Sequence, residues 1–163
     1  MSLNKYMHPR NIYKSKPDYK NLGELYSQFK QVLTYYPNGK AKIDFNNPYS
    51  LRMLTITLLR HDFHLEVDLP LDRLIPALPQ RLNYLHWIED LVSLFDYPKP
   101  TLINGIDIGT GPGCIFPLLG VSLNKNWRFV ATEVDDYSFK YAIENVANNS
   151  FQKLINSESK MNP

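Results

Sequence analysis

The segment from Asn104 to Cys114 constrains the fold most, because it joins an apolar stretch directly to a glycine-rich loop. Ile106 and Ile108 flank Asp107 in the alternation that is typical of a short buried strand. The loop then has glycine at every second position, at Gly109, Gly111 and Gly113. Glycine lets a backbone turn tightly and approach a ligand without an obstructing Cβ. Since ligands of open α/β sheets lie beyond the carboxyl ends of strands, the segment predicts a strand that leads into a cofactor loop.

The spacing of the small residues distinguishes between two kinds of cofactor. A dinucleotide fingerprint requires G-x-G-x-x-G/A, but here the third position is Cys114 and the additional glycine comes one residue earlier. The observed order, acid-x-Gly-x-Gly-x-Gly beginning at Asp107, resembles instead the first motif of methyltransferases that use S-adenosylmethionine (SAM). A glycine-rich turn that binds no ligand is the alternative interpretation.

A second strand and an acidic residue follow at the distance that a βαβ unit requires. Residues 127–132 are rich in strand-forming side chains, and Glu133 follows them, 22 positions after Gly111. A carboxylate at the end of the next strand, about 20 residues past the glycines, can accept hydrogen bonds from both ribose hydroxyls of a nucleoside. Asp135 and Asp136 are alternatives for this role or caps of the next helix, and a solvated acidic turn also fits the pattern.

The composition fits one globular domain without a membrane span. With 163 residues and 44% hydrophobic content, the chain can bury a core. No stretch approaches the roughly 20 apolar residues of a membrane span, and the N-terminus lacks the apolar core of a signal peptide. We therefore expect a nuclear or cytoplasmic location and no membrane partner. The one cysteine, Cys114, excludes an internal disulfide framework, and we expect no metal site.

The charge distribution is uneven and bears on the partner. Residues 1–42 carry eight Lys or Arg and two acids, so the net charge of +2 combines a front of +6 with a remainder of −4. The first part of this front, residues 1–18 (the arm), mixes cations with tyrosines and has little periodicity. Cations that contact phosphates and aromatic rings that stack on bases are typical of nucleic-acid recognition. A solvated terminus without function is the alternative.

The remaining patterns predict a chain of helices before the glycine-rich loop and alternating elements after it. One short amphipathic helix is expected over 19–33, and a proline with an N-cap asparagine predicts another helix from Asn47. Residues 65–70 read as an exposed connector or strand, and residues 81–92 as a helix. After Glu133, a helix capped by Asp136 is expected, and a third strand begins within 151–155.

Several segments together resemble the methyltransferase-like protein 16 family, which is related to bacterial enzymes that methylate an adenine of the large ribosomal RNA. The resemblance runs from about residue 5 to about residue 154, and these segments carry it: Met7-His8-Pro9-Arg10-Asn11, Leu59-Arg60-His61-Asp62-Phe63, Asp68-Leu69-Pro70, Arg73-Leu74-Ile75-Pro76, Arg81-Leu82-Asn83-Tyr84, Gly105–Gly111 and Ala131–Asp136. It implies a Rossmann-like class I enzyme that transfers the SAM methyl group to the N6 amine of adenosine. The implied substrates are structured RNAs, U6 snRNA or messenger hairpins, and no DNA.

The resemblance also implies roles for particular residues. Arg81 would pair with the SAM carboxylate, Glu133 would hold the ribose, and the loop residues Asp107, Gly109, Gly111 and Gly113 would line the cofactor. Four cations of the arm would contact RNA phosphates: Lys5, Arg10, Lys14 and Lys16. The chain departs from the family at Gly113, where a serine is usual, and at Ile12, where a relative has arginine.

The largest departure from the family is the missing acceptor motif Asn-Pro-Pro-Phe, so we assign no catalytic residue. We expect an α/β chain with an incomplete Rossmann-like SAM-dependent domain after a mostly helical N-terminal extension. The expected parts are 1–97 for RNA and the cofactor lid, 98–155 for the half domain, and 156–163 as a disordered tail. The glycine-bearing strand would keep one unpaired, partly uncovered edge.

Such a chain would be a truncated methyltransferase that is not catalytic alone. Two other hypotheses remain open from the sequence. The chain could be a non-catalytic RNA-binding fragment, or a SAM methyltransferase that acts on a protein or a small molecule.

Overall fold

Six helices and five strands make up the part of the chain that the structure, a computed structural model, describes: residues 6–94 and 102–159. A 3-10 turn at Ile12–Lys14 precedes them. In chain order the elements are α1 (Tyr19–Leu25), α2 (Ser27–Lys30), β1 (Leu33–Tyr35), β2 (Ala41–Ile43), α3 (Pro48–Phe63), α4 (Leu78–Ser93), β3 (Ile103–Ile108), α5 (Ile115–Leu123), β4 (Trp127–Thr132), α6 (Asp136–Asn148) and β5 (Ile155–Glu158). None of the helices in the described ranges is long and apolar enough to cross a membrane.

A three-stranded parallel sheet in the order β3-β4-β5 forms the second half of the described chain. Ile103 pairs with Trp127 and Phe129 pairs with Ile155, and the helices α5 and α6 connect the successive strands. This is the repeated βαβ arrangement of a Rossmann-like sheet. The expected fold class, a parallel α/β sheet after a mostly helical extension, is confirmed.

The helix α5 lies between the sheet and the N-terminal helices, which explains its apolar sequence. Leu118 and Leu119 are fully buried, and the helix contacts β3 and β4 as well as α3 and α4. A helix that is apolar on all sides is stable only where it is buried on all sides. One core therefore joins the helical extension to the sheet and fixes the position of the glycine loop that precedes α5.

The prediction of a buried glycine-bearing strand is wrong for one of its faces. The side chains of Ile106 and Ile108 are 71% and 74% exposed. The opposite face of β3 contacts α5, and there a Cβ on Gly105 would collide with the ring of Phe129. Sequence alternation cannot tell which faces of a parallel sheet are covered. Within the described ranges β3 pairs only with β4, so the expected unpaired, partly uncovered edge is confirmed.

The single helix expected over residues 19–33 is also wrong. The backbone is extended at Tyr26 and separates α1 from α2, and the chain then enters β1. Strand β1 pairs with β2 in an antiparallel ladder, in which Leu33 lies opposite Ile43. The strand pairing across the turn at residues 36–40 thus outweighs the helical preference that the spacing of apolar residues indicates.

Residues 65–70, which we call the strap, are buried on one face, whereas Glu66 and Asp68 on the other face are exposed. The side chains of Leu65, Val67 and Leu69 point into the core, but the strap belongs to none of the sheets in the described ranges. The alternation predicted an extended backbone correctly, and the predicted exposure holds only for the face of Glu66 and Asp68. Side chains at the end of α6 supply hydrogen-bond partners for the backbone of the strap.

The last strand extends into the segment for which a disordered tail is expected. Strand β5 ends at Glu158, whose carbonyl accepts a hydrogen bond from the backbone N–H of Glu133 at 3.1 Å. The polar side chains of β5 gave no indication of this pairing, because backbone groups alone form the hydrogen bonds between the two strands. Residues 160–163, and the expected boundary between residues 97 and 98, lie outside the described residues.

The helix starts follow local capping chemistry. Asn47 accepts hydrogen bonds from the N–H groups of Tyr49 and Ser50, as its position before Pro48 predicts. The cap of α6 is Asp135, which accepts from Ser138, and not Asp136. Helix α4 begins at Leu78, earlier than expected, because Pro79 fits in a first helical turn.

Candidate cofactor site

The glycine loop leaves β3 and is held against the end of β4. The N–H groups of Gly109 and Thr110 both donate to the carbonyl of Thr132 at 2.9 Å. Gly109 and Gly111 have φ angles of +73° and +66°, in the left-handed region that side-chain-bearing residues adopt at a cost. A Cβ at either glycine would meet no atom within 4 Å. The backbone therefore requires glycine, and open space remains beside the loop for a ligand.

Gly113 has a different environment from the other two glycines. A Cβ there would lie 2.8 Å from Cγ1 of Ile115 and 3.0 Å from Cδ2 of Leu69 in the strap. The absence of a side chain thus allows close packing between the loop, the strap and α5. Its predicted part in the cofactor site stays a prediction.

Glu133 is buried at the end of β4 and reaches the loop, 22 residues away in sequence. Its Oε2 accepts from the N–H of Gly111 at 2.8 Å, and its Oε1 accepts from Val134 and Asp135 at 2.8 and 3.0 Å. The spacing of 22 residues therefore correctly predicted that Glu133 lies beside the glycine loop. Of the two alternative acids, Asp135 caps α6, and Asp136 is exposed in the first turn of that helix.

A second carboxylate lies beside the first. Oδ2 of Asp107 accepts a hydrogen bond from the Thr110 hydroxyl at 2.7 Å. Burial and the charge of Glu133 raise the pKa of Asp107, although the Thr110 hydroxyl opposes that rise. Two adjacent acids favour ligands that bring hydroxyl donors or positive charge, because both lower the cost of a buried carboxylate.

Arg81 brings positive charge to the start of α5, the helix that follows the loop. It projects from α4, and its guanidinium carbon lies 5.7 Å from the ring centroid of Phe116, in the first turn of α5. Its side chain makes no ion pair with a carboxylate in residues 6–94 or 102–159, whereas Arg73 pairs with both Asp72 and Asp135. Arg81 is thus a cation that is available to a ligand carboxylate.

Cys114 and the histidines do not add a further reactive centre. Cys114 is fully buried at the N-cap of α5, and burial raises the pKa of its thiol to about 12, so the thiol stays protonated. No group of three or more His, Cys, Asp or Glu side chains in the described ranges could hold a metal ion.

The arm is folded onto α4, and Arg10 has a role that the sequence did not predict. Its Nη2 donates to the carbonyl of His86 at 3.0 Å, to Oε2 of Glu89 at 3.1 Å and to Oδ1 of Asp90 at 2.7 Å. His8 makes a further pair with Asp90 at 2.8 Å. The charge expected to contact RNA is therefore engaged within the protein.

The lysines of the arm differ from Arg10. Lys14 is exposed at the end of the 3-10 turn, and Lys16 is exposed with its Nζ 4.8 Å from the ring centroid of Tyr19. Lys5 lies outside the described residues. The structure thus leaves two of the predicted cations on the surface, and their contact with RNA stays a prediction.

Two buried asparagines were missed. Asn11 in the arm accepts from the N–H of Tyr13 and donates to the carbonyl of Pro79. Asn145 in α6 contacts both the strap and the glycine loop. Asn145 could have been identified from the sequence by its position within the apolar stripe of α6, beside the buried Ala142 and Val146.

The family of RNA methyltransferases matches residues 1–162 of the chain. The chain belongs to this family. The RNA N(6)-adenosine-methyltransferase METTL16 of Homo sapiens is 53% identical over 156 residues, which cover 95% of this chain and 28% of the relative. The U6 small nuclear RNA (adenine-(43)-N(6))-methyltransferase of Caenorhabditis elegans is 44% identical, with 95% and 32% covered. The chain thus spans about a third of the length of these relatives.

Solved structures of the human relative agree with the fold. The N-terminal domain of human METTL16 in complex with SAH matches with a TM-score of 0.87 and 52% identity, over 93% of this chain and 58% of that one. The human catalytic domain in complex with the MAT2A 3′UTR hairpin 6 matches with a TM-score of 0.88 and 49% identity, over 94% and 53%. One structure of the human relative thus contains SAH, and another contains an RNA hairpin.

Proposed function

We propose that the chain holds SAM and structured RNA for methyl transfer to the N6 amine of adenosine. The observation that carries this proposal is the Glu133 carboxylate on the Gly111 N–H, with Asp107 nearby. Arg81, which has no carboxylate partner in the described ranges, lies against Phe116 at the start of α5. Family membership and the SAH complex of a relative support the same cofactor.

The chemistry of the site fits SAM at both of its ends. SAM when bound supplies an electrophilic methyl group on a positively charged sulfur. Glu133 can accept hydrogen bonds from the ribose hydroxyls, and its charge with that of Asp107 favours a cationic ligand. Arg81 can pair with the carboxylate of the methionine end. Gly109 and Gly111 leave the approach to their backbone open.

The proposed substrate is adenosine in a structured RNA, either U6 snRNA or a messenger hairpin. A U6 RNA methyltransferase and a hairpin complex among the relatives support this choice. The exposed Lys14 and Lys16 offer phosphate contacts on the arm. A U6 substrate implies work in the nucleus.

One observation favours a second candidate, RNA binding without catalysis. The sequence contains no Asn-Pro-Pro-Phe segment, and the outer edge of β3 is unpaired in the described ranges. Methylation of a protein or a small molecule, the remaining hypothesis, finds no support in the RNA methyltransferase family.

Calorimetric SAM binding to the purified chain tests the cofactor. Glu133→Gln keeps the shape of the side chain and removes its charge, and Asp136→Asn is the matched control on an exposed acid beyond the loop. We expect Glu133→Gln to weaken binding by at least about tenfold, since a hydrogen bond to a charged group contributes about 1.5–3 kcal/mol.

The control should bind SAM like the wild type. Absence of saturable SAM binding by the folded wild-type chain would overturn the cofactor proposal. Salt-dependent binding of an RNA hairpin without any response to SAM would favour the second candidate, and SAM binding without RNA binding would overturn the RNA proposal.

A further inference from the structure

Two asparagines, Asn145 in α6 and Asn149 at the C-cap of that helix, take the place of a neighbouring strand for the strap. Oδ1 of Asn149 accepts from the N–H of Glu66 at 2.9 Å, and its Nδ2 donates to the Glu66 carbonyl at 2.8 Å. Oδ1 of Asn145 accepts from the N–H of Asp68 at 2.7 Å, and its Nδ2 donates to the Asp68 carbonyl at 2.9 Å. Side chains four residues apart on a helix thus satisfy alternate residues of an extended backbone.

Only Asn145 extends this pairing to the glycine loop. Its Nδ2 also donates to the carbonyl of Pro112 at 2.8 Å, and the residue is fully buried. Pro112 lies between Gly111, which Glu133 holds, and Gly113, which packs on Leu69. One amide therefore ties the middle of the loop to the strap.

The strap is a firm base for this contact because α3 holds it from another side. The guanidinium of Arg52 donates to the carbonyl of Leu69 and to the carboxylate of Asp68. The side chains of Leu65, Val67 and Leu69 are buried in the core. If the loop moved away from Asn145, the strap would stay in place, and the hydrogen bond from Asn145 to the Pro112 carbonyl would break.

We propose that Asn145 is a positioning residue for the glycine loop, and that it sets the affinity of the loop for its ligand. For the identity of that ligand, SAM, the inference rests on the proposed function. Glycines flank Pro112 on both sides, so without the amide the loop can take many conformations. A loop that must be ordered on binding loses affinity by the cost of that ordering.

The control comes from the C-cap of the same helix. Asn149→Ala removes the equivalent pair of hydrogen bonds to the strap and one from Nδ2 to the carbonyl of Asn145, and it removes no contact with the loop. Asn149 is less buried than Asn145, so each variant is compared at its own measured stability from urea unfolding. If Asn145→Ala does not fold, Asn145→Ser keeps a hydroxyl at the site and replaces it.

Two readouts separate positioning from general stability in the full 163-residue chain. The first is the SAM dissociation constant, and the second is hydrogen exchange at the amides of Gly111, Gly113 and Cys114. Asn145→Ala should raise the dissociation constant about tenfold, or about 1.4 kcal/mol, and should speed exchange in the loop. Asn149→Ala should leave both readouts within about twofold of the wild type, or about 0.4 kcal/mol.

The outcomes distinguish this inference from the proposed function. Equal affinities and equal loop exchange in the two variants would overturn the positioning role. A wild-type chain that binds no SAM, with loop exchange faster only in the Asn145 variant, would overturn the proposed cofactor and support the positioning role. Without SAM binding and without that difference in exchange, both proposals fall.

Discussion

The arm and the glycine loop are both attached to the rest of the protein, but by different kinds of interaction. The arm is held mainly by charged groups near the surface, through His8 and Arg10 on the acids of α4. The loop is held by backbone groups, a buried carboxylate and the neutral amide of Asn145. Surface charge pairs weaken with salt and pH, and buried amide contacts do not. The charged contacts of the arm should therefore depend on salt, whereas the backbone and amide contacts of the loop should not.

The different attachments of the arm and the loop also affect how their sequence motifs are interpreted. The positive charge of the arm predicts a surface that binds RNA. Arg10, however, attaches the arm to α4 through hydrogen bonds to the His86 carbonyl and the Asp90 carboxylate. Its partner Asp90 has a lowered pKa, first because of the hydrogen bond from His8 and then because of the charge of Arg10. In the loop, by contrast, the residues of the motif contact one another as predicted: Asp107 accepts from Thr110, and Glu133 accepts from Gly111.

The largest effect is expected at a buried neutral contact of the arm. Asn11 is 2% exposed, and Asn11→Ala would leave the N–H of Tyr13 without its acceptor and remove the hydrogen bond to the carbonyl of Pro79. We expect a loss of about 2–3 kcal/mol in the free energy of unfolding, measured by urea denaturation. Asn38→Ala in an exposed turn is the control, and an equal loss in both would show that the arm does not contribute.

Asp107 should give the stability of the chain a pH dependence of its own. The raised pKa of Asp107 means that the folded chain holds this proton more tightly than the unfolded chain. Stability from this group is present below the ordinary carboxyl range and is lost as the pH rises through the raised pKa. Asp107→Asn should remove that decline in urea unfolding between about pH 3 and 7. Asp44→Asn, on an exposed acid, should retain it, and a decline that persists in Asp107→Asn would contradict the assignment.

A smaller effect that depends on salt is expected at Arg10. Arg10→Gln removes the half-exposed pairs with Glu89 and Asp90, which we expect to cost about 0.5–1 kcal/mol at low salt. The difference from the wild type in urea unfolding should shrink as NaCl rises from about 0.05 to about 0.5 M. Lys20→Gln, exposed on α1, is the control. A salt-independent loss would mean that packing, and not charge, holds the arm.

The smallest effect on stability, and a clear one on binding, is expected at Lys14. Its side chain is exposed, so Lys14→Gln should leave unfolding unchanged. If Lys14 contacts a phosphate, the log–log salt slope of RNA binding should fall by about 0.7 for single strands or about 0.9 for duplex. Lys140→Gln on α6 should leave the slope as it is. Equal slopes in both variants would remove Lys14 from the RNA surface.

Much of the candidate site was predictable because it depends on local chemistry. The glycine spacing and the acid 22 residues later follow from the repeat of a βαβ unit, and Glu133 does contact the loop. The N-cap at Asn47 likewise needs only the next few residues. In contrast, the pairing of Arg10 with α4 joins positions about 80 residues apart, which no local pattern encodes.

The sequence by itself determined the parallel α/β class, the position of the loop and the acid that meets it. Only the tertiary structure decided which face of β3 is covered, that one face of the strap is buried in the core, and that Asn145 joins strap to loop. The physical reason is that turns, caps and strand spacing arise from neighbours in sequence. Coverage, burial and the partners of polar side chains arise instead from elements that only the folded core brings together.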